Sequence, residues 1–384
     1  MPALVPAASA VPPARGKKSA YQPQLDGLRG IAILSVLLHH FELRLPGLFD
    51  WGPIGVRIFF LLSGYLITQS LWRLQTEARM SGGYWSGLVG FHARRMARLT
   101  PVLYTMLGVA CFMGLPEFRH AIAWHAAFLS NFYALHINDW PAASSHLWSL
   151  SVQEQFYLLW PFVILIIPRK ALPYALIAMF VAAFLFRAMV IGTDVSNFYR
   201  WVMLPGVLDS FALGALIACW KKSGRPLPIV EGRMGAAIGL LAFGCYIAAR
   251  IVRFGPFGGP GVAAIETLEN VFLGWLLLRT VVGWTGITGL VFENPVLVYI
   301  GKISYGLYVF HVLVHVALTP WLGQHGLGLG GHYMLLRSAV LLSVSIAVAS
   351  LSYFYVEAPL TAWVRNQEAK KRKSDISAET VPVA

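Results

Sequence analysis

The sequence predicts an all-α, polytopic integral membrane protein with about ten transmembrane helices and both termini in the cytoplasm. Three observations lead to this fold class: the composition, a series of apolar runs and the distribution of Lys and Arg. Of the 384 residues, 57% are hydrophobic and 12% are charged, and the mean hydropathy is +0.63. Soluble domains contain roughly 25% charged residues, so an ordinary soluble enzyme, a disordered chain and a fibrous protein are excluded.

Ten apolar runs approach the length of about 20 residues that a helix needs to cross the hydrocarbon core. In chain order they cover about residues 30–48, 54–74, 99–116, 149–168, 171–191, 202–220, 234–252, 262–283, 302–320 and 335–357. The first run is the least apolar, because its C-terminal half contains two histidines, a glutamate, an arginine and a proline.

The distribution of basic residues predicts the orientation of these runs. If the N-terminus is cytoplasmic, most of the 30 Lys and Arg residues fall in cytoplasmic segments, and nearly every such segment is enriched. Cytoplasmic loops of membrane proteins carry this excess. The net charge of +13 therefore indicates topology rather than a nucleic-acid partner. We expect a multi-pass protein of the cell membrane whose partner is the lipid bilayer.

The chain divides into one large membrane domain between two tails. Residues 1–19 are rich in Pro and Ala and lack the apolar segment of roughly 7–15 residues found in a signal peptide, so we expect a disordered cytoplasmic tail. Residues 20–360 form the transmembrane domain. Residues 361–384 are basic and then polar, which predicts a second disordered cytoplasmic tail. The three cysteines show no metal-ligand spacing, so we predict no metal site.

Arg29 and His40 are the most informative polar residues of the first run. They are eleven positions apart, which is about three helical turns and about 16 Å, so the two side chains share a helix face. A charged side chain within a span costs at least about 2.5 kcal/mol and needs a reason. An arginine at the cytoplasmic mouth and an imidazole near the membrane middle indicate two ends of a water-accessible tunnel. The alternative is that His40 hydrogen-bonds a neighbouring helix while Arg29 extends to lipid headgroups.

Arg95 and Arg98 lie in the second cytoplasmic segment. They are three positions apart and form one cationic face if the segment is helical. Because a guanidinium group binds phosphate through two parallel hydrogen bonds, this face suits an anionic ligand that arrives from the cytoplasm. A topology signal that contacts lipid headgroups is the alternative.

The outer end of the fourth run, residues 145–157, is unusually polar. It places the hydroxyl of Ser149 and the carboxylate of Glu154 between the aromatic rings of Trp148 and Tyr157. Sugars need hydrogen bonds for their hydroxyls and aromatic surfaces for their ring faces, so this composition suits a sugar. An aromatic belt in which Glu154 pairs with an arginine of another span is the alternative.

The ninth run begins with a polar and aromatic face. Tyr308 and His311 lie three positions apart on this face. The small residues around them, Gly301, Ser304 and Gly306, allow helices to approach closely. The face is either part of a binding site or a packing seam with hydrogen-bonded polar groups.

Taken in order, these motifs resemble the acyltransferase-3 family of polytopic membrane proteins. The spacing from Arg29 to His40 matches the Arg-x10-His motif of that family. Several motifs in the same order across ten spans are specific, whereas one short motif is weak. The resemblance covers about residues 20–360 and rests on Leu25–Gly30 with His40, Phe59–Ile67, Arg95-x-x-Arg98, Trp148–Tyr157, Asp209–Gly214, Ser304-Tyr305-x-x-Tyr308 and Tyr355-x-Glu357-x-Pro359.

The resemblance implies transfer of an acyl group, most often acetyl, from cytoplasmic acyl-CoA to a hydroxyl of a cell-surface or exported carbohydrate. We take His40, Arg29 and Glu154 as candidate catalytic residues. The phosphates of acyl-CoA are then expected to contact Arg29, Arg95 and Arg98. The candidates for binding the carbohydrate acceptor are Trp148, Ser149, Tyr157, Asp209, Tyr308 and His311.

Two positions depart from the family pattern. Gln153 precedes Glu154 where many members have two glutamates, and Arg57 stands where many members carry an acid. A role that needs two carboxylates at the first position, or a His–acid pair from the second, is therefore not expected.

Other functions remain compatible with a polytopic protein that has intramembrane charges. These are a transporter or flippase of a lipid-linked sugar, O-acylation of a secreted small metabolite, and a non-catalytic scaffold. Against transport, the sequence shows no inverted repeat or paired broken helix.

Overall fold

The computed structural model describes residues 21–41, 51–81, 83–190, 199–226, 232–251, 258–327 and 333–379. These residues form helices and connecting turns, and none of them lies in a strand. In chain order the helices are α1 (Pro23–His40), α2 (Trp51–Ser81), α3 (Tyr84–Phe112), α4 (Pro116–Ala126), α5 (Ser130–Ile137), α6 (Leu147–Ile166), α7 (Leu172–Val190), α8 (Tyr199–Val202), α9 (Leu204–Ser223), α10 (Arg233–Ile251), α11 (Gly258–Val282), α12 (Gly286–Phe292), α13 (Pro295–Lys302), α14 (Ser304–Gln324), α15 (Met334–Ser352), a π-helical turn (Tyr353–Glu357) and α16 (Ala358–Glu379).

Seven helical segments of the described chain are long and apolar enough to cross a membrane. They are Trp51–Glu77, Leu147–Ile166, Leu172–Val190, Leu204–Ser223, Pro260–Val282, Ser304–Gln324 and Met334–Glu368. They fall on the second, fourth, fifth, sixth, eighth, ninth and tenth predicted runs. A shorter apolar stretch in α10 falls on the seventh run, and α1 and α3 fall on the first and third. The prediction of an all-α polytopic membrane protein is confirmed, while the count of ten and the cytoplasmic termini stay predictions.

Glycines bring α2 and α9 into close contact. A Cβ atom on Gly64 would lie 2.1 Å from the carbonyl oxygen of Phe211, and one on Gly214 would lie 2.0 Å from that of Leu61. Any larger residue would therefore push the two backbones apart. Lipid tails are as apolar as leucine, so such close backbone packing is one of the main forces that hold membrane helices together.

Close backbone packing at glycines also places α1 beside α13. A Cβ on Gly30 would lie 2.3 Å from the carbonyl oxygen of Leu297, and one on Gly301 would lie 1.8 Å from that of Asp26. Helix α1 begins at Pro23, which occupies the first turn where its missing N–H is tolerated. The helix therefore starts before the predicted run at 30–48, and residues 42–48 of that run lie outside the described residues.

Helix α3 begins at Tyr84, well before the third predicted run at 99–116. The sequence pattern places the arginines of this region in a cytoplasmic segment between two spans and does not decide whether the segment is helical. In the structure they continue the helix, because arginine has a high helix propensity and these side chains line a cavity instead of facing lipid. The arginines therefore become part of a helix wall.

The chain continues as a helix beyond residue 360, where we expected a disordered tail. Pro359 has no N–H to donate to the carbonyl of Tyr355, and the helix widens into the π-helical turn directly before it. Helix α16 then packs through Val364, which is 9% exposed. Arg94 on α3 forms an ion pair with Glu368 on α16 at 2.5 Å. These contacts give residues 358–368 a tertiary partner that composition does not reveal.

Candidate active site

Helix α1 connects two cavities through Arg29 and His40. One cavity, here called the arginine cavity, has a volume of about 470 Å³ and is lined by Arg29 together with other arginines. The second, here called the histidine cavity, also has a volume of about 470 Å³ and is lined by His40. Val56 and Tyr308 line both cavities, so the two meet there. The spacing of the Arg-x10-His motif thus places its two polar residues in two adjoining spaces.

The histidine cavity combines imidazole rings with a tryptophan-rich wall. His40 and Trp148 face it from α1 and α6, and Trp140 and Trp148 lie against each other with ring centroids 6.2 Å apart. Trp148 also contacts Phe60 at 6.1 Å, which orients its ring. The remaining lining residues are Val36, His39, Gly52, Pro53, Val56, Ser145, His146, Arg200, Trp201 and Tyr308.

Three histidine rings cluster at the inner end of this cavity. The ring of His311 lies 4.8 Å from that of His40 and 5.0 Å from that of His146, and the rings of His40 and His146 are 6.5 Å apart. His311 is fully buried, and its Nδ1 lies 2.8 Å from the carbonyl oxygen of Tyr308, so it packs behind His40 and does not line the cavity. His40 is the member of the cluster that is half-buried and in reach of a ligand.

Hydroxyl groups occupy the junction between the cavities. The hydroxyl of Tyr308 donates to the carbonyl oxygen of His146 at 2.8 Å and lies 2.5 Å from the hydroxyl of Ser149. Ser149 lines the arginine cavity, whereas His146 lines the histidine cavity. Tyr308 therefore ties the two sides together at the point where they meet.

The arginine cavity is strongly basic. Arginines from α1, α3 and α16 line it, and among its described lining residues Glu154 carries the single carboxylate. The charged lining residues are Arg29, Arg94, Arg95, Arg98, Glu154 and Arg365. The neutral lining residues are Val56, Phe59, Phe60, Leu62, Ser63, Leu66, Ile67, Ser70, Phe91, Leu99, Ser149, Leu150, Gln153, Tyr157, Ser304, Tyr305, Tyr308 and Thr361.

Glu154 positions Arg95 inside this cavity. The Nε atom of Arg95 lies 3.3 Å from a carboxylate oxygen of Glu154, and its guanidinium group stacks over the ring of Tyr157 at 3.1 Å from the centroid. Tyr157 in turn donates a hydrogen bond to Ser63 at 2.6 Å. Gln153 donates to the same serine at 2.5 Å, so the amide that replaces the family's first glutamate completes this hydrogen-bond group.

A second carboxylate lies behind the arginine cavity. Glu357 is 2% exposed, and neither of its carboxylate oxygens has a hydrogen-bond partner among the described residues. Arg98 and Arg29 are close enough to interact with it electrostatically. Arg29 itself lies 3.6 Å from Asp26 in the preceding turn. Carboxylates thus accompany Arg29, Arg95 and Arg98, two of them from outside the cavity lining and one, Glu154, from within it.

The residues that the sequence predicts to contact the acceptor do not share one cavity in the structure. Trp148 lies in the histidine cavity, while Ser149 and Tyr157 lie in the arginine cavity. Because successive side chains of α6 point about 100° apart, one polar helix end serves both cavities. Tyr308 lies at the junction and His311 behind it.

Asp209 lies outside both cavities. It is fully buried, forms an ion pair with Arg187 at 2.7 Å and accepts a hydrogen bond from Asn270 at 2.7 Å. The same buried network explains Arg57, which lies 3.3 Å from Glu266 and 3.6 Å from Glu269. The charge inversion at position 57 is therefore balanced by carboxylates of α11.

Glu266 and Glu269 are polar residues of the buried network that the sequence analysis does not single out. Both lie in the eighth apolar run, three positions apart, and two acids at that spacing inside a span are a detectable signal. Glu266 contacts Arg57, Arg187 and Arg200, so it is the centre of the network. Also missed were the cavity residues Trp140, Trp201, Arg200, Thr361 and Arg365. Their surroundings give no local pattern, because each meets its cavity only through packing between distant segments.

Metal ligands do not form a group in the described part of the chain. No three His, Cys, Asp or Glu side chains there are arranged to hold a metal ion. The polar groups that line the two cavities are imidazole, indole, guanidinium, hydroxyl, amide and carboxylate groups.

Comparisons with known proteins identify relatives of the chain. The chain is 29% identical over 372 residues to the peptidoglycan O-acetyltransferase OatA of Listeria monocytogenes, covering 88% of this chain and 56% of that protein. It is 28% identical over 372 residues to a predicted O-acetyltransferase of Staphylococcus aureus strain MSSA476, covering 89% of this chain and 58% of that protein. The chain thus spans little more than half the length of these relatives.

The family match covers nearly all of the described chain. No solved structure matches the chain. Residues 22–356 match the acyltransferase domain, which includes both cavities except for the part contributed by α16. The resemblance noted from the motifs is confirmed, and the chain belongs to the acyltransferase-3 family.

Proposed function

We propose that this chain is a membrane O-acetyltransferase that moves an acetyl group from cytoplasmic acetyl-CoA to a hydroxyl of a cell-wall or exported carbohydrate. The observation that carries the proposal is the meeting of the arginine and histidine cavities at Val56 and Tyr308. A donor held in one cavity and an acceptor held in the other would meet at this junction. The names of the similar proteins, which include a peptidoglycan O-acetyltransferase, support a carbohydrate acceptor.

The arginine cavity fits the donor. Acetyl-CoA carries several phosphates at one end and a thioester at the end of a long, thin arm. Arg29, Arg95 and Arg98 would bind the phosphates, since guanidinium groups recognise phosphate with two parallel hydrogen bonds. A volume of about 470 Å³ is within the usual range of ligand pockets and suits the arm with its thioester. The excess of Lys and Arg in predicted cytoplasmic segments supports an opening of this cavity to the cytoplasm.

The histidine cavity fits a carbohydrate. Trp140, Trp148 and Trp201 offer aromatic faces on which a sugar ring can stack, while Ser145 and the histidines offer hydrogen-bond partners. This cavity lies on the other side of the junction, so it would open to the outer surface of the cell membrane. Glycan strands are the first acceptors to test, and a secreted small metabolite is a second class that the same cavity can hold.

His40 would act as the general base of the transfer. Its imidazole takes the proton of the acceptor hydroxyl as that oxygen attacks the thioester carbonyl carbon. A carbon–oxygen bond forms, the carbon–sulfur bond breaks, and the imidazolium returns its proton to the sulfur that leaves. His311 and His146 pack against His40 and would hold its ring in position. Glu154 would act through Arg95, which it positions.

The direct test is acetyl transfer in membranes that contain the full chain. Radiolabelled acetyl-CoA and glycan acceptors should give labelled glycan with the wild type and none with His40→Ala. His325→Ala is the matched control, because His325 is exposed and lines neither cavity. Full activity of His40→Ala in correctly folded protein would remove His40 from the mechanism.

The same experiment separates the competing functions. Label that binds to the wild-type protein but not to His40→Ala, and then moves to an added acceptor, would indicate that His40 itself carries the acetyl group. Glycan that crosses the membrane without acquiring label would indicate a flippase. Label that reaches only small metabolites would retain the enzyme class and change the acceptor.

A further inference from the structure

The C-terminal helix α16 forms one wall of the arginine cavity. Thr361 and Arg365 line the cavity from this helix. They are four positions apart, and Glu368 follows three positions later, so all three side chains share one helix face. This face is directed toward α3.

Glu368 anchors that face to α3. Its carboxylate oxygen lies 2.5 Å from the Nη1 atom of Arg94. One turn earlier on α3, a Cβ atom on Gly90 would lie 2.9 Å from the same oxygen, so glycine leaves room for the carboxylate. The ion pair joins this part of α16, with Arg365 one turn before Glu368, to α3.

The charges of the cavity are only partly balanced. Glu154 pairs with Arg95, Glu368 pairs with Arg94 and Asp26 pairs with Arg29. Arg98 and Arg365 form no ion pair with a carboxylate in the regions that the structure describes. Arg98 interacts electrostatically with Glu357, and the two guanidinium groups line the cavity from two different helices, α3 and α16, so both can contact a bound anion.

Exposure orders these arginines along the cavity. The side chains of Arg29 and Arg95 are 22% and 20% exposed, whereas that of Arg94 is 39% exposed and Arg365 is also exposed. Arg365 therefore stands near the mouth of the cavity. The end of acetyl-CoA that lies farthest from the thioester is its nucleotide, which carries a 3′-phosphate on the ribose.

We infer that Arg365 binds the 3′-phosphate of the nucleotide and makes the enzyme prefer acetyl-CoA to a donor that lacks this phosphate. The inference rests on the proposed function and extends it to a residue of the C-terminal helix. Arg98 contacts the same nucleotide from α3, while the more buried arginines take the phosphates closer to the thioester. Arg365 thus determines donor specificity and does not touch the reacting atoms.

The test compares acetyl-CoA with 3′-dephospho-acetyl-CoA in membranes that contain the full chain. In the wild type, loss of the 3′-phosphate should raise the KM of the donor about tenfold and leave kcat unchanged. Arg365→Gln should raise the KM for acetyl-CoA to the same level and have little effect with the dephosphorylated donor. Lys370→Gln is the matched control, because Lys370 is an exposed cation of the same helix that does not line the cavity. It should behave as the wild type.

The KM values of the Arg365 variants for the two donors decide whether the inference holds. If Arg365→Gln raises the KM equally for both donors, or changes neither, the inference is wrong. If Arg365→Gln does not accumulate in membranes, Arg365→Lys keeps the positive charge and should retain most of the preference between the donors. If the wild type has the same KM for both donors, this inference is wrong and the proposed function stands. If the wild type uses neither donor, the proposed function is wrong.

Discussion

Glu266 is the centre of the buried ion network, and its replacement by Gln should strongly destabilise the folded protein. Its carboxylate lies 3.3 Å from Arg57, 3.3 Å from Arg187 and 3.2 Å from Arg200, and its side chain is 9% exposed. Removal of one partner from a buried ion pair costs about 3–5 kcal/mol, because the other charge stays buried without compensation. Three guanidinium groups share this carboxylate, while Arg57 and Arg187 keep Glu269 and Asp209 as partners, so we expect a loss within that range.

Glu368→Gln provides the matched comparison. The Arg94–Glu368 pair is shorter, at 2.5 Å, but its side chains are 39% and 31% exposed. A pair with this exposure contributes about 0–1 kcal/mol to stability. The free energy of unfolding, measured by denaturant titration in mild detergent, should therefore fall several times further for Glu266→Gln than for Glu368→Gln.

A double variant tests the cause of the loss. Adding Arg200→Gln to Glu266→Gln lowers the excess of positive charge in the network by one, and it should recover part of the lost stability. Equal losses for the two single variants would refute the reasoning, since burial would then not determine the strength of these pairs. No recovery in the double variant would show that shape, and not charge, is what Glu266 contributes.

Three further expectations concern packing, pH and substrate binding. Gly64→Leu should abolish folded protein, because its side chain would meet the carbonyl of Phe211. Gly108→Leu should be tolerated, because no atom of a neighbouring segment lies within 4 Å of a Cβ at that position. The yield of monodisperse protein measures both effects. Burial lowers the pKa of His125, in α4, from 6.5 to about 4. As the pH falls, the imidazole of His125 is protonated in the unfolded chain before it is protonated in the folded protein. The free energy of unfolding should therefore fall by up to about 3 kcal/mol as the pH drops from 6.5 to 4. His125→Gln should flatten this pH dependence, and an unchanged slope in the variant would contradict the prediction. Trp148→Ala should raise the KM of the carbohydrate acceptor several-fold and leave the KM of the donor unchanged, because Trp148 lines only the histidine cavity.

Much of the candidate site follows from local sequence patterns. Arg29 and His40 stand out because charged and polar residues are rare in an apolar run, and helical geometry converts their spacing into a distance and a common face. The i,i+3 spacing of Arg95 and Arg98 likewise indicates a cationic face from the sequence alone. Such patterns depend only on the helix and the lipid around it.

Other parts of the site could not be predicted in this way. Asp209 belongs to a recognisable motif, yet its partner is Arg187 on another helix and it lines neither cavity. The division of Trp148 and Ser149 between two cavities depends on which helices pack on each side of α6. Arg365 lies in a segment whose composition predicts disorder, and its position depends on the ion pair between Arg94 and Glu368.

The sequence by itself determined the class of protein, the apolar segments, the Arg-x10-His spacing and the family. These properties arise from composition and helical periodicity, which act within about 20 residues of chain. Only the tertiary structure decided that two cavities meet at Val56 and Tyr308, that Glu266 joins three arginines, and that α16 closes the arginine cavity. The reason is physical: helix contacts in a membrane depend on close packing and on pairing of buried charges between distant segments, and neither leaves a periodic signal in the chain.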